Sequence, residues 1–459
     1  MFDERKVLGV LLGGSALYAD VFAEERTYNH IQLESDKIEK LEKGTDNGAA
    51  LRFITPWKTF LASTNSLEEG HLLQLSRDLV RASGTEGEGR PLQAGDVVRA
   101  RYPFSIMIDA KDVHIEEKLR LVRTVATEAR KREGRIKQVR VVYRDTKQLV
   151  RMANSDGGFI EDDRNQVVLN LLIVGEANGR MQTAYEAIGG FYGYEYFTDE
   201  RVDAFVAMTV KRLSGLFGAV EAPMGAKTVV LASEAGGTMI HEAIGHGLEA
   251  DLAMEGLSCY KGLLGKEIAG PGITIVDDKT IPYMRGTYAY DDEGTPSERT
   301  VLVEDGVLRN YLCDRFHALK FGMTSTGNGR RESFRFKPIP RMSNTMILPG
   351  TDDPEKIIAS VEDGVLVRKM GGGQVDTVRG DFVFEISEGY LIEKGRIGPM
   401  IKNATMMGNG PKVLFDIDMI GTDFGIGIGT CGKDGQGVPV SDAQPTLRIP
   451  NIIVGGRAT

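Results

Sequence analysis

The stretch His241-Glu242-Ala243-Ile244-Gly245-His246 places a glutamate directly after the first of two histidines. Two neutral imidazoles and one carboxylate are the groups with which a zinc hydrolase holds its metal and activates the metal-bound water. The common arrangement is H-E-x-x-H, in which both histidines lie on one face of a helix. Because the hexapeptide has one residue more between its histidines, it predicts a metal-binding helix of unusual geometry.

The extra residue changes how the two imidazoles are placed around a helix. At ~100° per residue, an i,i+4 pair differs by about 40° and an i,i+5 pair by about 140°, so a regular α-helix cannot aim both rings at one ion. One turn of π-helix fits the longer spacing, and such turns recur at functional sites. Gly245 lies where a π-bulge or a helix break would fall, and glycine tolerates the required backbone angles. The spacing and the glycine therefore predict the same local distortion.

The alternative interpretation is a buried helix whose histidines are satisfied core residues. The chain has six histidines in 459 residues, and two of them flank this glutamate. The preceding Met239-Ile240 is apolar, and a charged Glu242 on such a helix is costly unless it has a partner. These features favour the metal site.

Composition limits the class of protein. A chain of 459 residues has room for two or three domains, and 41% hydrophobic with 26% charged residues is ordinary for a globular protein. The net charge of −9 argues against direct binding of nucleic acid. No apolar run approaches the ~20 residues that span a membrane. Three widely spaced cysteines, Cys259, Cys313 and Cys431, form no disulfide framework, so we expect a reducing cytoplasm.

Periodicity predicts an α+β fold: an N-terminal mixed α/β region is followed by a C-terminal, mainly antiparallel β domain that carries the zinc-binding helix. Helices are expected at 115–132 and 199–216, and Ser66 to Glu69 predicts a capping box opening a helix that ends near residue 82. Residues 44–48 are interpreted as turn material, and 85–95 as a polar loop. We expect an N-terminal α/β domain at 1–105, a central α/β domain at 106–223 and a β-rich metallopeptidase domain at 224–459.

The third protein ligand is left open by spacing, because catalytic zinc usually takes three protein ligands and a water. The candidates are the acidic side chains soon after the motif, the other histidines and the cysteines: Glu249, Asp251, Glu255, the four remaining histidines, Cys259, Cys313 and Cys431. Glu249 and Asp251 are equally suited to orient an imidazole N–H from outside the metal. Cys431 ends a stretch, 425–437, with glycine at nearly every second position, which predicts a strand that another backbone approaches closely. Its thiol would be an apt zinc ligand.

Several blocks together resemble the TldD/PmbA family, zinc metallopeptidases also described as modulators of DNA gyrase. The resemblance covers essentially the whole length. It is carried by His241 to Asp251 (H-E-x-x-x-H and its continuation), Tyr290 to Pro296, Ser325 to Arg331, Pro340 to Thr345, and Gly429 to Gly437 with Ile452 to Gly456.

The resemblance implies one zinc ion held by His241, His246 and Cys431, with Glu242 as general base. It also implies a two-fold dimer, either with itself or with a zinc-less TldE/PmbA-type paralogue. The substrate would be a short or unfolded peptide in an internal cavity, its backbone paired with a strand beside the site. Tyr260, Arg315 and His317 are possible oxyanion donors, and none is assigned.

Two other functions remain open from the sequence. One is a zinc exopeptidase similar to dipeptidyl peptidase III, whose motif also reads H-E-x-x-G-H and whose third ligand is a downstream glutamate. The other is a peptide-binding or gyrase-modulating partner without catalysis. The intact Glu242 argues against the second, because a binding module needs no base beside two metal ligands.

Overall fold

The structure is a computed structural model that describes residues 2–13, 15–84, 92 and 95–456. Most of the predicted polar loop at 85–95 lies outside the described residues. In the part of the chain that is described, no helix is both long enough and apolar enough to cross a membrane.

The N-terminal half is built on one large sheet. Its strand order within the described residues is β3-β2-β1-β5-β6-β4, and β7 pairs with β6 beside β4. All pairings are antiparallel except β4 with β6. The strands are β1 Tyr18–Glu34, β2 Lys37–Ile54, β3 Thr59–Thr64, β4 Val97–Arg99, β5 Ile136–Asn154, β6 Phe159–Ala177 and β7 Arg180–Gly190.

Helices α1 Glu4–Leu11, α2 Glu69–Ser83, α3 Ile115–Arg132 and α4 Asp199–Phe217 cover this sheet. In α3 the buried residues Val122, Val125, Ala126 and Ala129 recur at three- and four-residue spacing, so one stripe of the helix faces the sheet and its charged face meets solvent. The predicted helices at 115–132 and 199–216 are thus confirmed. Because the sheet takes strands from both 1–105 and 106–223, the proposed boundary between those units lies within a shared sheet.

The C-terminal half contains two larger sheets and one strand pair around the largest apolar core. One sheet has the order β12-β11-β10-β15-β22-β21, and the other has β16-β9-β23-β19-β17-β18-β8 with β20 beside β23. The strands are β8 Val220–Glu221, β9 Gly225–Leu231, β10 Ile275–Asp278, β11 Arg299–Glu304, β12 Val307–Leu308, β13 Gly329–Arg330, β14 Ile339–Pro340, β15 Asn344–Ile347, β16 Asp363–Val375, β17 Asp381–Glu393, β18 Arg396–Lys402, β19 Ala404–Asn409, β20 Met419–Ile420, β21 Gly425–Lys433, β22 Gln436–Gln444 and β23 Leu447–Gly456.

Short helices lie between these strands: α5 Thr238–Ile240, α6 Ala250–Ala253, α7 Arg315–Phe321, α8 Pro354–Ala359 and α9 Gly410–Asp416. Most strand pairings here are antiparallel, with parallel exceptions such as β15 with β22 and β16 with β9. The predicted α+β class is confirmed, with the predicted order of a mixed N-terminal region and a β-rich C-terminal region.

Two local predictions were wrong. Residues 44–48 are not a turn but the middle of β2, paired with Glu24–Tyr28 of β1. The helix predicted from a capping box at Ser66 begins at Glu69, and its N-cap Glu68 makes no side-chain capping bond.

The two halves are joined by buried polar contacts. The Tyr18 hydroxyl and the Asn154 amide donate to the Glu293 carbonyl at 2.9 and 3.1 Å. Arg52, with none of its surface exposed, forms ion pairs with Asp20 and with Glu293. The sheet of the N-terminal half is thereby fastened to the loop at 290–296.

Candidate metal centre

The hexapeptide is a π-helical turn. After α5, residues His241–Gly245 form one π turn and His246–Leu248 a short 3-10 turn. The amide N–H of His246 donates to the carbonyl of His241, the i,i+5 bond that defines this geometry. The two imidazoles consequently lie on one side, with ring centroids 5.1 Å apart. The predicted distortion is confirmed.

The reason for Gly245 differs from the prediction. Its backbone angles, φ −55° and ψ −55°, are ordinary helical values that any residue adopts. A Cβ at this position would lie 2.0 Å from the Met342 sulfur, so glycine is required for close packing and not for backbone freedom. Tyr260 supports the same turn, because its hydroxyl donates to the Ala243 carbonyl at 3.1 Å. Packing from outside thus stabilises the wide turn.

Strand β21 brings Cys431 to the two histidines. Its Sγ lies 3.4 Å from Nε2 of His246, although the residues are 185 positions apart in sequence. The ligand atoms of His241, His246 and Cys431 all lie within 4.8 Å of one another. The Cys431 carbonyl accepts a hydrogen bond from the buried Arg341, which fixes the strand at this point.

The electrostatics of these three side chains favour a thiolate. Burial raises the pKa of the Cys431 thiol, but hydrogen bonds from His241 and His246 and their charges outweigh burial and lower that pKa to about 5. Burial likewise opposes a charge on His246, yet Glu249 and Cys431 hold the pKa of that imidazole well above its ordinary value. Two imidazoles and a thiolate are donors that suit Zn²⁺. Nδ1 of His241 is also buried without a hydrogen-bond partner among the described residues, so the donor set fits a metal ion.

Glu249 orients one imidazole from outside the group. Its Oε2 lies 2.8 Å from Nδ1 of His246, on the ring edge away from Cys431. Lys433 then donates to Glu249 at 2.9 Å and to Asp251 at 2.7 Å. This carboxylate–histidine arrangement resembles the outer contacts that orient metal-binding histidines.

The other third-ligand candidates do not join the group. Glu255 pairs with Lys320, and Asp251 with Lys433. The Cys313 thiol donates to the Asp314 carbonyl, and burial raises its pKa. The potential cluster of metal-ligating side chains within the described residues contains none of these, nor Cys259, His30, His71, His114 or His317.

Tyr260, Arg315 and His317, considered above as oxyanion donors, are engaged elsewhere. The Tyr260 hydroxyl is bound to the π turn. Arg315 lies 3.2 Å from Asp156 and covers the Tyr18 ring. His317 Nδ1 contacts Asp314 at 2.6 Å. None of the three is among the described residues that line the cavity beside His241.

A cavity of about 710 Å³ opens beside the three converging side chains. Glu242 lines it together with His241, His246 and Cys431, and the Glu242 carboxylate forms no hydrogen bond or ion pair with any described residue. Strand β7 forms one wall and β21 the other. We refer to this space as the metal cavity.

Several residues that line the metal cavity were not predicted from the sequence. They include Lys369, Arg285 and a run of stacked tyrosines, Tyr196, Tyr192 and Tyr283, whose successive ring centroids lie 4.3 and 4.8 Å apart. Tyr283 has φ +65°, which is rare for a bulky residue and marks a strained position on the cavity wall. The aromatic run at 191–197 was visible in the sequence, but nothing in it pointed to a distant metal site.

The glycines of β21 divide into two kinds. A Cβ on Gly425 would meet the Ser233 carbonyl at 2.0 Å, and one on Gly427 would meet the Asp442 carboxylate at 2.3 Å. A Cβ on Gly429 would make an ordinary contact at 3.5 Å, and Gly432 faces open space. The predicted close approach is therefore confirmed at the beginning of the strand, whereas the face of the strand is uncrowded at Gly429 and Gly432.

Comparison with known proteins gives family matches along the chain. Residues 19–83, 108–216 and 224–456 match domain 1, the central domain and the C-terminal domain of the PmbA/TldA metallopeptidases. A metalloprotease TldD homolog of Haemophilus influenzae is 35% identical over 448 residues, covering 96% of this chain and 93% of that protein. A zinc metalloprotease TldD homolog of Saccharolobus solfataricus is 27% identical over 444 residues, covering 96% and 97%.

Solved structures share the fold. A protein named as a modulator of a DNA gyrase from Thermotoga maritima matches with a TM-score of 0.80 at 19% identity, over 95% of this chain and 96% of that one. TldE from Thermococcus kodakarensis matches with a TM-score of 0.74 at 16% identity, over 96% and 97%. The relatives' names and the converging donors support a metal cofactor.

Proposed function

The chain belongs to the PmbA/TldA metallopeptidase family, and from that premise we propose that it is a zinc-dependent peptidase acting on short or unfolded peptides. The observation that carries the proposal is the convergence of His241, His246 and Cys431 beside the unpartnered carboxylate of Glu242 in one cavity.

Each side chain has a distinct role in this proposal. His241, His246 and Cys431 hold one zinc ion per chain. Zinc, when bound, lowers the pKa of a water molecule and polarises a substrate carbonyl. Glu242 takes the proton of the attacking water and delivers it to the leaving amine. The carboxylate suits this role because no described residue neutralises it.

Glu249 and Lys433 prepare the site before substrate binds. With Nδ1–H of His246 donating to Glu249, Nε2 on the side of Cys431 would be the ligand atom when zinc is bound. Lys433 neutralises the wholly buried Glu249 and, being two residues after Cys431, links the thiolate strand to the histidine turn.

The substrate is proposed to bind as an extended strand beside β21. Within the described residues this strand pairs with β22 on one side only, so its other edge is unpaired, and residues 426–432 line the metal cavity. A peptide added to such an edge gains main-chain hydrogen bonds that do not depend on its sequence. The cavity of about 710 Å³ admits a short extended segment and excludes a folded domain.

The proposal also includes the oligomeric state and the cellular location of the protein. We propose a two-fold dimer, with an identical chain or with a zinc-less TldE-type partner, and the shared fold with TldE supports this. The unpaired Cys259, Cys313 and Cys431 support a cytoplasmic location. We also propose three domains, 1–105, 106–223 and 224–459, each of which contains one of the matched ranges 19–83, 108–216 and 224–456.

The test is chelator-sensitive cleavage of an unstructured peptide, followed by mass spectrometry, with metal content measured in parallel. Glu242→Gln should keep its zinc and lose about 10²- to 10⁴-fold in turnover, since it removes the base alone. Glu234→Gln is the matched control, because Glu234 lines the same cavity and is exposed. Full peptidase activity in Glu242→Gln would disprove the assigned role.

A further inference from the structure

A second cavity, of about 610 Å³, adjoins the metal cavity, and both are lined by Tyr185, Ala187, Arg285, Ile428, Gly429 and Thr430. Its walls carry six arginines, Arg26, Arg144, Arg164, Arg285, Arg330 and Arg331, against two carboxylates, Asp292 and Glu332. We refer to it as the arginine cavity. Its excess of positive charge stands out in a chain whose net charge is −9.

The arginines are not neutralised equally. Arg164 pairs with Asp162 and Asp292, and Arg331 with Asp20. The other four, Arg26, Arg144, Arg285 and Arg330, form no ion pair within the described part of the chain. Arg330 is buried and donates to two backbone carbonyls, those of Met342 and Pro439. Arg330 is thus a buried cation with neutral acceptors, which is costly without a counter-charge. Arg26 and Arg285 are half-buried and Arg144 is exposed, and their added positive charge favours an anion that is supplied from outside.

Arg285 is the member that faces both cavities. Its Nε donates to the Gly429 carbonyl at 3.0 Å, Nη1 to Gln166 at 2.9 Å and Nη2 to the Thr430 hydroxyl at 3.2 Å. All three acceptors are neutral. Because a guanidinium has five N–H groups, one on each Nη has no acceptor among these three contacts and can donate to a carboxylate oxygen. Burial, with the charges of Arg144 and Arg330, lowers the pKa of Arg285 to about 10, which is the expected effect of crowding without an anion.

The position of Arg285 fixes where such an anion would lie on a substrate. Its contacts are to Gly429 and Thr430 on β21, and Cys431 follows on the same strand. At ~3.4 Å per residue, Gly429 is about 7 Å from Cys431 along the strand. A peptide extended beside β21 with its reactive carbonyl at the metal centre would therefore have a group near Arg285 about two residues away.

We propose that Arg285, supported by Arg144 and Arg330, binds a carboxylate of the peptide substrate about two residues from the scissile bond. The inference rests on the proposed peptidase function and adds a specificity to it. The carboxylate is either the peptide's own C-terminus or an aspartate or glutamate side chain. In both cases substrates with an anion at that distance are preferred over neutral ones.

The test uses an N-terminally fluorescent octapeptide rich in alanine and glutamine, with one glutamate moved through its positions. Each version is made with a free or an amidated C-terminus. Binding is measured by anisotropy on zinc-loaded Glu242→Gln, and cleavage is measured on the wild type. Peptides with a carboxylate in register should bind roughly 10- to 100-fold more tightly than the neutral amide, as expected for a charge-assisted pair. Loss of the preference on amidation assigns the C-terminus, and a preferred glutamate position assigns a side chain.

In the Glu242→Gln background, Arg285→Gln should abolish the preference for a peptide that carries the carboxylate. Arg285→Lys should restore part of it, and Arg144→Gln, at an exposed residue, should reduce it without a folding defect. Arg396→Gln, on β18 and exposed, lines neither cavity and should change nothing.

Equal binding of charged and neutral peptides, or a preference that survives in both Arg285→Gln and Arg144→Gln, would overturn the carboxylate site. A binding preference without cleavage by the wild type would keep the site and disprove the peptidase. Equal cleavage of every peptide together with equal binding would support the peptidase and disprove the carboxylate site.

Discussion

The metal cluster consists of His241, His246 and Cys431, which line the metal cavity, with Glu249 and Lys433 behind them. A second group of buried charges lies at the junction between the two halves of the chain. This junction cluster consists of Asp20, Arg52, Asp292, Glu293 and Arg331. Each of its carboxylates has an arginine within ion-pair distance: Asp20 has Arg52 and Arg331, Glu293 has Arg52, and Asp292 has Arg164.

The difference shows that buried charge does not by itself identify a reactive site. In the junction cluster each carboxylate lies within ion-pair distance of an arginine, so these side chains contact one another and do not converge on a shared space. In the metal cluster, two imidazoles and a thiolate converge while Glu242 beside them has no partner. Side chains that converge on a shared cavity indicate a reactive site, whereas charged side chains that pair with one another indicate a structural contact.

The largest effect is expected from Arg52→Met, which leaves Asp20 buried without its main counter-charge. The free energy of unfolding should fall by about 3 to 5 kcal/mol, with the zinc content of the folded fraction unchanged. Denaturant titration followed by metal analysis measures both. Arg335→Gln is the matched control, because the Arg335–Asp46 pair crosses the same junction at the surface and is worth about 1 kcal/mol or less. Equal loss in both variants would refute the distinction.

Cys431→Ala acts on the other cluster. Removing the thiolate leaves two imidazoles, so zinc affinity should fall by at least about 100-fold while the apparent stability of the metal-free protein changes little. Competition with a chromogenic chelator gives the affinity. Cys313→Ala, a buried thiol outside the group, should bind zinc as the wild type does. Normal zinc binding by Cys431→Ala would return the third ligand to the acidic candidates.

Glu249→Gln weakens the metal cluster from outside. The amide still reaches His246 but no longer carries the charge that orients it, so zinc affinity should fall by about 10- to 100-fold. Glu255→Gln serves as control, since Glu255 pairs with Lys320 near the surface. An affinity equal to the wild type's would show that Glu249 only neutralises Lys433.

The smallest effect is a pH dependence in the junction cluster. Burial raises the pKa of Glu293 to about 8, although the charge of Arg52 opposes this. In the unfolded chain an ordinary glutamate ionises near ~4.3, so the folded state holds an extra proton between the two values. The stability contributed by this group is therefore complete below about pH 4 and is lost as the pH rises through about 8.

Glu293→Gln should remove this loss. Thermal unfolding of the metal-free protein at pH 7 and pH 9 should show a decline smaller by about 1 to 2 kcal/mol in the variant than in the wild type. A variant that declines as steeply as the wild type would assign the pH dependence to another group.

Elements with local periodicity were predictable from the sequence. Helix α3 matched its predicted bounds, because its apolar stripe and charged face follow from residue spacing alone. The interior of β2 was missed. Residues 44–48 contain glycine, aspartate and asparagine, which favour turns locally, yet they pair along β1 and the partly exposed strand tolerates them. Pairing with a distant partner decided the structure there.

The site divides in the same way. The i,i+5 spacing predicted the π turn, a property of one hexapeptide. The predicted reason for Gly245 was wrong. Glycine is required there by the close packing of Met342, which lies about a hundred residues away in sequence. Cys431 was selected by family resemblance, since nothing local joins it to His246. Arg285 was missed entirely, because its significance depends on which carboxylates are absent from its surroundings in three dimensions. The family-like block at 290–296 proved to supply Asp292 and Glu293 to the junction cluster.

Strand β21 carries the thiolate, the lysine that holds Glu249 and the edge proposed for peptide pairing within nine residues. Two ligands that bind to the same strand are thermodynamically linked when one of them changes the affinity for the other. If the metal tightens peptide binding by some factor because it orders this strand, then the bound peptide must lower the dissociation constant of the metal by the same factor. A chelator that removes the metal from the peptide-free protein would thus remove it less readily from the protein with bound peptide.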